Sequence, residues 1–377
     1  MTFLVLFILF IQNCSAQLFS SMYHCYSNSF EITLLLGSQD TSITARINQF
    51  SPFSYFLPNE YQPNKSTSAN ITKTYVENIE NANYKVMSIK DNIKILGSDK
   101  IIKQFQFLVP EGVKGSNLPK RSTFSLHYTT FQDNYSLLHL LKKQNIVNKL
   151  SYTFSKCFGI GQIYFGTTWN LTPNITCHIN PLFSEWQCPI TKVNILSKAY
   201  KPYYISSYLL FEVSRNKMFV PCDFIDFIYN KLLKKAKCTI ITYNNKRRIQ
   251  CGKLSDKISM DKIIFYIGDG MLAVSLSNLF SCYTETICDS LFKCEENKNT
   301  FIFTGAILRL LTSTFDYEDK AVYLYSDGQD IEVNPENIIK ILLSKNMIMN
   351  IYKIISVILI IMSLFIFDIK KRQLIMF

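Results

Sequence analysis

The chain of 377 residues is poor in charge, with Asp, Glu, Lys and Arg making up only 18% of it. Alongside 48% hydrophobic and 14% aromatic residues, that scarcity excludes a solvated, disordered polymer. The length excludes a single compact core and calls for more than one domain. Clustered cations are lacking too. Lys plus Arg number 40 against 28 Asp plus Glu, a formal charge of +12, but the cations are scattered among Asn and Ile. Nucleic-acid binding needs them gathered. A phosphate loop is also missing, because Gly159-Ile-Gly161 with Gly166 has no βαβ surroundings.

Long apolar runs are confined to the two ends. Thr2 to Ile11 is one, followed by Ser15 and Ala16 before Gln17. About ten apolar residues suit the core of a secretory signal and are too few to span a bilayer, although no Lys or Arg precedes them. Cleavage is expected after Ala16. At the other end Ile348 to Phe367 is broken only by Asn350, Lys353, Ser356 and Ser363. Lys353 would sit at the outer interface with its stem along the lipid. Asp368, Lys370, Lys371 and Arg372 follow at once, a positive-inside signature that argues against a removable lipid-anchor signal. The expected topology is single-pass type I, and about two of the surplus positive charges belong to membrane orientation.

Of eleven cysteines, Cys14 falls in the signal, leaving ten for an oxidising compartment. Five sequons, at Asn64, Asn70, Asn134, Asn170 and Asn174, fit the same lumenal or extracellular location. There a thiol nucleophile built from Cys157 with His127, His139 or His178 is disfavoured, because lumenal cysteines are usually oxidised. The spacing of Cys282, Cys288 and Cys294 is no better as a metal site. No metal and no cofactor are expected.

Between the ends the pattern is short β-branched and aromatic stretches bounded by Gly, Asn, Asp and Pro. Strands are predicted at Phe30–Leu36, Ser42–Ile47, Asn92–Leu96, Ile102–Val109, Tyr152–Phe158, Ile160–Phe165, Lys262–Ile267 and Phe301–Thr304. Two packing helices interrupt them. Tyr135–Gln144 aligns Leu137, Leu138, Leu140 and Leu141, and Cys222–Lys235 aligns Phe224, Ile225, Ile228 and Leu232 behind Pro221.

The order of these pieces resembles the pepsin-like aspartic proteases. An apolar strand, Gly37 and Ser42–Ile47 lead to Tyr55-Phe56-Leu57-Pro58, like the strand that runs through Asp-Thr-Gly-Ser to an aromatic-Val-Pro end. Ser136 to Val147 is similar to the family helix Ser-x-x-x-x-Leu-x-x-Gln-Gly-Leu-Val, and Gly161-Gln-Ile-Tyr-Phe-Gly166 to its Gly-x-Ile-x-Phe-Gly strand. Glu185-Trp186-Gln187 resembles the opening of the second lobe's core. Phe301-Ile-Phe-Thr-Gly305 through Asp316 and Ala321–Tyr325 resembles the closing signature. The resemblance covers residues 30 to 328 and implies a mainly β, bilobal pepsin-like aspartic protease fold, here with a C-terminal transmembrane helix. The implied organisation is a signal peptide over 1–16, an N-terminal β lobe over 25–166 and a C-terminal β lobe over 167–328. A stalk over 329–347, a transmembrane helix over 348–367 and a cytoplasmic tail over 368–377 complete it. By analogy, Cys177 pairs with Cys188, and Cys251 with Cys282, Cys288 or Cys294.

The family's chemistry needs two carboxylates that share one proton and grip one water. A ten-residue motif Asp-Thr-Gly-Thr-Ser-x-x-x-x-Pro ending at Pro221 begins at Glu212, with Val213 and Ser214 in place of Thr and Gly. In the first lobe, counting from Gly37 places Asn48 at the Asp position, and counting back from Pro58 places Gln49 there. Glu displaces a carboxylate by about 1 Å, worth about 10²-fold in rate. Losing a member of a catalytic unit costs on the order of 10⁴ to 10⁶. Arg121-Ser-Thr-Phe-Ser-Leu126 occupies the place of Asp-Gly-Ile-x-Gly-Leu, Tyr84 is the candidate for the flap tyrosine, and the family's long basic pro-segment has no counterpart between Ala16 and Phe30. The resemblance thus implies a protein that binds a peptide or protein ligand in the interlobe cleft without cleaving it. An endopeptidase using Glu212 with Asn48 or Gln49, and a glycosylated adhesion protein, are the alternatives. Expected partners are that ligand and the membrane, and no nucleic acid.

Overall fold

In the computed structural model the described residues are 19–25, 29–80, 82–111, 119–127, 135–166, 172–179, 186–195, 202–234, 236–252, 261–284, 287–295, 300–326 and 331–333. The expected signal peptide, transmembrane helix and cytoplasmic tail lie outside them, as do most of the stalk and Asn134 and Asn170. Among the described residues no helix is long and apolar enough to cross a membrane. The protein is mainly β, arranged as one sheet of twelve strands and one of eleven.

Alternation explains the strands that place the site. Glu31–Leu36 turns Ile32, Leu34 and Leu36 inward, and Thr41–Asn48 does the same with Ile43, Ala45 and Ile47. The two pair antiparallel from Glu31 opposite Arg46 to Leu36 opposite Thr41. Gly37 makes their connection at φ +72°, and a Cβ there would lie 2.5 Å from Ser66 Oγ. Thr41–Asn48 also runs parallel to Thr123–Ser125, with Asn48 opposite Ser125.

Two predicted strands differ from those observed. Asn92–Leu96 is the end of the longer strand Ala82–Ile95, which forms a hairpin with Asn70–Ile79. Its lysines, asparagines and serine dilute the alternation, and its pairing with Ile101–Pro110 slips between Asp91 and Ile93. Tyr152–Phe158 stops instead at Phe154. Beyond it the Cys157 N–H donates to the Arg309 carbonyl and Cys157 is bonded to Cys25, so the chain leaves the ladder.

The sheets do not divide where the sequence halves do. Ile175–His178, Thr312–Asp316 and Ala321–Tyr325 join the sheet formed by the first half, which begins with Phe19–His24. Thr312–Asp316 pairs with Ser151–Phe154. There the Phe315 ring stacks 5.1 Å from Tyr152, and the hydroxyls of Thr153 and Thr314 share a buried hydrogen bond of 2.7 Å. Ile175–His178, Thr312–Asp316 and Ala321–Tyr325 thus fasten the second half to the first.

Both predicted helices form. Leu137–Lys143 starts at Ser136, whose side chain accepts from the His139 N–H, and buries Leu137, Leu138, Leu140 and Leu141. Each buried leucine contributes about 2 kcal/mol. Cys222–Ile228 continues as a π-helical turn, Tyr229–Leu233, and buries Phe224, Ile225, Ile228 and Leu232.

Five disulfides are formed. Cys177 bonds Cys188. Cys251 does not bond Cys282, Cys288 or Cys294. It lies opposite Cys238 in a hairpin and bonds it, while Cys282 bonds Cys288 and Cys222 bonds Cys294. Spacing misleads here because cross-strand register, which sequence does not display, brings the sulfurs together. Cys25–Cys157 closes the longest span, 132 residues, for which chain entropy gives about 5 kcal/mol.

Candidate functional site

The first loop begins where Thr41–Asn48 ends. Asn48 Oδ1 accepts from the N–H groups of Phe50 at 2.8 Å and Ser51 at 3.0 Å, an Asx turn that reverses the chain. The Asn48 carbonyl accepts from the Leu126 N–H, fixing the loop to Thr123–Ser125. Ser125 uses its hydroxyl to bond the Ser51 carbonyl, while its N–H donates to Ser54 Oγ at 2.8 Å. Gln49 points the other way, into the core, at 1% exposure.

Gln49 reaches the second lobe. Its Oε1 accepts from the Val213 N–H at 3.0 Å, and its Nε2 donates to the Tyr152 hydroxyl at 2.8 Å. Tyr152 is fully buried among Trp186, Phe315 and Tyr317. Burial pushes its phenol well above the usual range, so it serves as a neutral hydrogen-bonding group. Phe30 forms a second seam, donating its N–H to the Val213 carbonyl and accepting from the Ile47 N–H. The structure therefore brings Asn48, Gln49 and the Glu212 loop to one place.

Glu212 ends the strand Tyr203–Glu212 and lies opposite Thr304 in a parallel pairing with Phe301–Thr304. Its carboxylate is almost buried, and Oε1 accepts from Ser214 Oγ at 2.7 Å and Arg215 Nε at 2.9 Å. The buried Oγ1 of Thr304 has no hydrogen-bond partner among the described residues. Asn48 and Gln49 carry amides, which neither take nor release a proton near neutral pH. Glu212 is thus the single carboxylate at the two loop positions, already engaged by a hydroxyl and a guanidinium.

His127 also adjoins the first loop, its Nδ1 3.2 Å from the Gln49 carbonyl. Burial lowers its pKa, and this hydrogen bond opposes the shift in part. Cys157, considered beside it as a thiol, is in a disulfide, as are Cys282, Cys288 and Cys294. Tyr84 faces Glu77 across the long hairpin and packs in a separate buried cluster with Tyr55, Ile79, Val86, Leu108 and Tyr135. An open cavity of about 870 Å³ lies elsewhere, against Lys103, Leu140, Lys143 and Gln144, and includes neither loop. Asn64, Asn70 and Asn174 are exposed.

Sequence reasoning missed Arg215, Tyr152 and Ser125. Arg215 carried a signal, since a residue three beyond an acid in a turn can fold back on it. Tyr152 carried none, because its partner Gln49 is 103 residues away.

Solved structures share this architecture. An aspartic proteinase from Irpex lacteus superposes with a TM-score of 0.64 at 11% sequence identity, covering 82% of this chain and 97% of that one. No protein-family model matches the sequence, and no curated protein matches it either. The fold is that of the pepsin-like aspartic proteases, reached by a sequence far from theirs.

Proposed function

We propose that this is a membrane-anchored, type I protein whose pepsin-like ectodomain binds extended peptides or proteins without cleaving them. The observation that carries the reading is the state of the two loops, with one carboxylate held by Ser214 and Arg215 and amides at Asn48 and Gln49. A shared-proton dyad needs two carboxyls facing one water. With one of them replaced by an amide, no second acid is present to hold the proton the mechanism moves. A cleft between β lobes can still take an extended chain by strand-like pairing, since that uses backbone groups and not the dyad. The ten cysteines of the expected mature chain, all in disulfides, favour a secretory route, and the basic cluster after Ile348–Phe367 favours an anchored one.

The test uses the full-length protein in detergent micelles with mixed peptide libraries, assayed from about pH 3 to about pH 7. No cleavage is expected, together with a raised melting temperature in the presence of extended peptides. Cleavage that disappears in Glu212→Gln would overturn the reading in favour of a protease of unusual type. Removal of residues 348–377 is expected to release the protein from membranes, which fractionation of expressing cells measures directly.

A further inference from the structure

Beyond Glu212 the second loop carries more positive charge than its own carboxylates require. Arg215 uses Nε for Glu212, and its guanidinium lies over the Phe219 ring with Cζ 5.1 Å from the centroid. Lys293 places Nζ 4.5 Å from the centroid of the same ring, so one aromatic side chain holds two cations. A guanidinium offers five N–H donors in a rigid fork, and one is spent here. The terminal nitrogens of Arg215 have no partner among the described residues, and the side chain is 49% exposed.

The neighbouring carboxylate is also fully used. Asp289 is buried, its Oδ2 paired with Arg248 at 2.8 Å and its Oδ1 accepting from Gln250 Nε2 at 2.9 Å. Lys217, two residues beyond Arg215, makes no hydrogen bond or ion pair among the described residues. Burial and the nearby Arg248 both lower its pKa, with Asp289 opposing them. Arg215, Lys217 and Arg248 are therefore set against Glu212 and Asp289, three cations to two carboxylates. Arg215 and Lys217 lie two and four residues beyond Val213, where the second loop hydrogen-bonds the first lobe.

We propose that Arg215 and Lys217 form an anion-accepting subsite that selects acidic side chains of an extended peptide bound between the lobes. The proposal rests on the peptide-binding reading and adds the class of ligand. Arg215 is held in place by Glu212 below and Phe219 beside it, so little rotamer freedom is left to lose when a carboxylate arrives. Its open edge presents paired N–H groups at the spacing of a carboxylate's two oxygens. Lys217 adds a point charge that an anion would relieve of its repulsion from Arg248. On this view Glu212 is a positioning residue that holds the guanidinium for a ligand.

Fluorescence anisotropy on the full-length protein in neutral detergent tests this. The probes are labelled Val/Thr peptides of about eight residues with two central Glu, Gln or Lys residues. The Glu peptide is expected to bind about tenfold more tightly than the Gln peptide, consistent with a charge-assisted hydrogen bond. The advantage should shrink as salt rises from about 0.05 M to about 0.5 M, and the Lys peptide should bind weakest. Arg215→Gln and Lys217→Gln should each bring the Glu-to-Gln ratio toward one, with melting curves checking that the variants fold. If Arg215→Gln fails to fold, Lys217→Gln and the salt series still decide. Equal binding of Glu and Gln peptides to the unaltered protein, or a ratio that survives the folded variants, overturns the subsite and leaves peptide binding standing. Binding of no peptide overturns both.

Discussion

The two loops that meet between the lobes use their side chains in opposite ways. The first is neutral, and its side chains fasten structure: Asn48 caps its own turn, and Gln49 bonds both Tyr152 and Val213. The second retains an acid, Glu212, whose charge is met by an arginine with an open outer edge. One loop has become a fastening and the other a place where charge is handled. Of two loops that meet at one seam, one can be given over to holding the seam while the other keeps an ion pair. A buried amide supplies one donor and one acceptor, which is what the Tyr152 hydroxyl and the Val213 N–H require.

The sharpest way to break this comparison is to put an acid at Gln49. Gln49→Glu would bury a carboxylate at a position 1% exposed, between a phenol and an N–H, with no cation bonded to it. Burial raises the folded-state pKa of such a group above its unfolded value of about 4.3. Full stability is then present below the unfolded pKa and is lost as pH rises through the folded one. The variant is expected to approach the parent near pH 4 and to be about 3 kcal/mol less stable near pH 7. Denaturant titrations at both pH values measure this. A loss that does not depend on pH would mean that Gln49 is not the buried amide described.

How far the sequence disclosed this pair of loops follows from the range of the interactions. The helix Leu137–Lys143 and the strands around Gly37 were legible because their signals are local, four leucines on one face and inward residues every second position. Glu212 was legible because Pro221 fixes the count to it. The first loop left Asn48 and Gln49 both open, since Gly37 and Pro58 give counts that disagree by one. Their division of labour, one capping and one bridging, depends on a partner 164 residues away. The disulfides show the same limit. Cys251 pairs with Cys238 through hairpin register, where spacing pointed to later cysteines. Thr312–Asp316 and Ala321–Tyr325 stood in the sequence only as part of a closing signature, and nothing local says that they are strands of the first sheet.

On the second loop, Glu212→Gln keeps shape and removes charge. The Arg215 ion pair would become a hydrogen bond from a charged guanidinium to a neutral amide oxygen, at a cost of about 1 kcal/mol, kept small because Arg215 is half exposed. The matching change on the first loop is Asn48→Asp. Its Oδ1 already accepts two N–H groups, and a carboxylate accepts at least as well, so stability near pH 7 is expected to stay within about 0.5 kcal/mol. Gln49→Glu and Asn48→Asp are the same chemical change at adjacent residues. If both cost the same in parallel thermal melts, the contrast between bridging and capping fails.

The smallest expected effect belongs to His127, whose ring nitrogen lies against the Gln49 carbonyl. Burial depresses its folded-state pKa, with that hydrogen bond opposing in part. For a base, a depressed pKa means that the unfolded chain binds more protons between the folded and unfolded values. Its contribution is therefore intact above the unfolded pKa of about 6.5 and declines as pH falls toward the folded one. Carboxylates contribute a separate loss at lower pH. Glu318 is held below its usual range by a hydrogen bond from Lys142, and Asp319 by one from Lys149, so their stabilisation fades as they protonate. His127→Gln removes only the first of these losses. Compared with that variant, the parent protein should lose stability as pH falls below about 6.5, and the two should run parallel once pH is below the folded-state pKa. A constant difference across the whole span would show that the imidazole is solvated and that the first loop is more open than its hydrogen bonds imply.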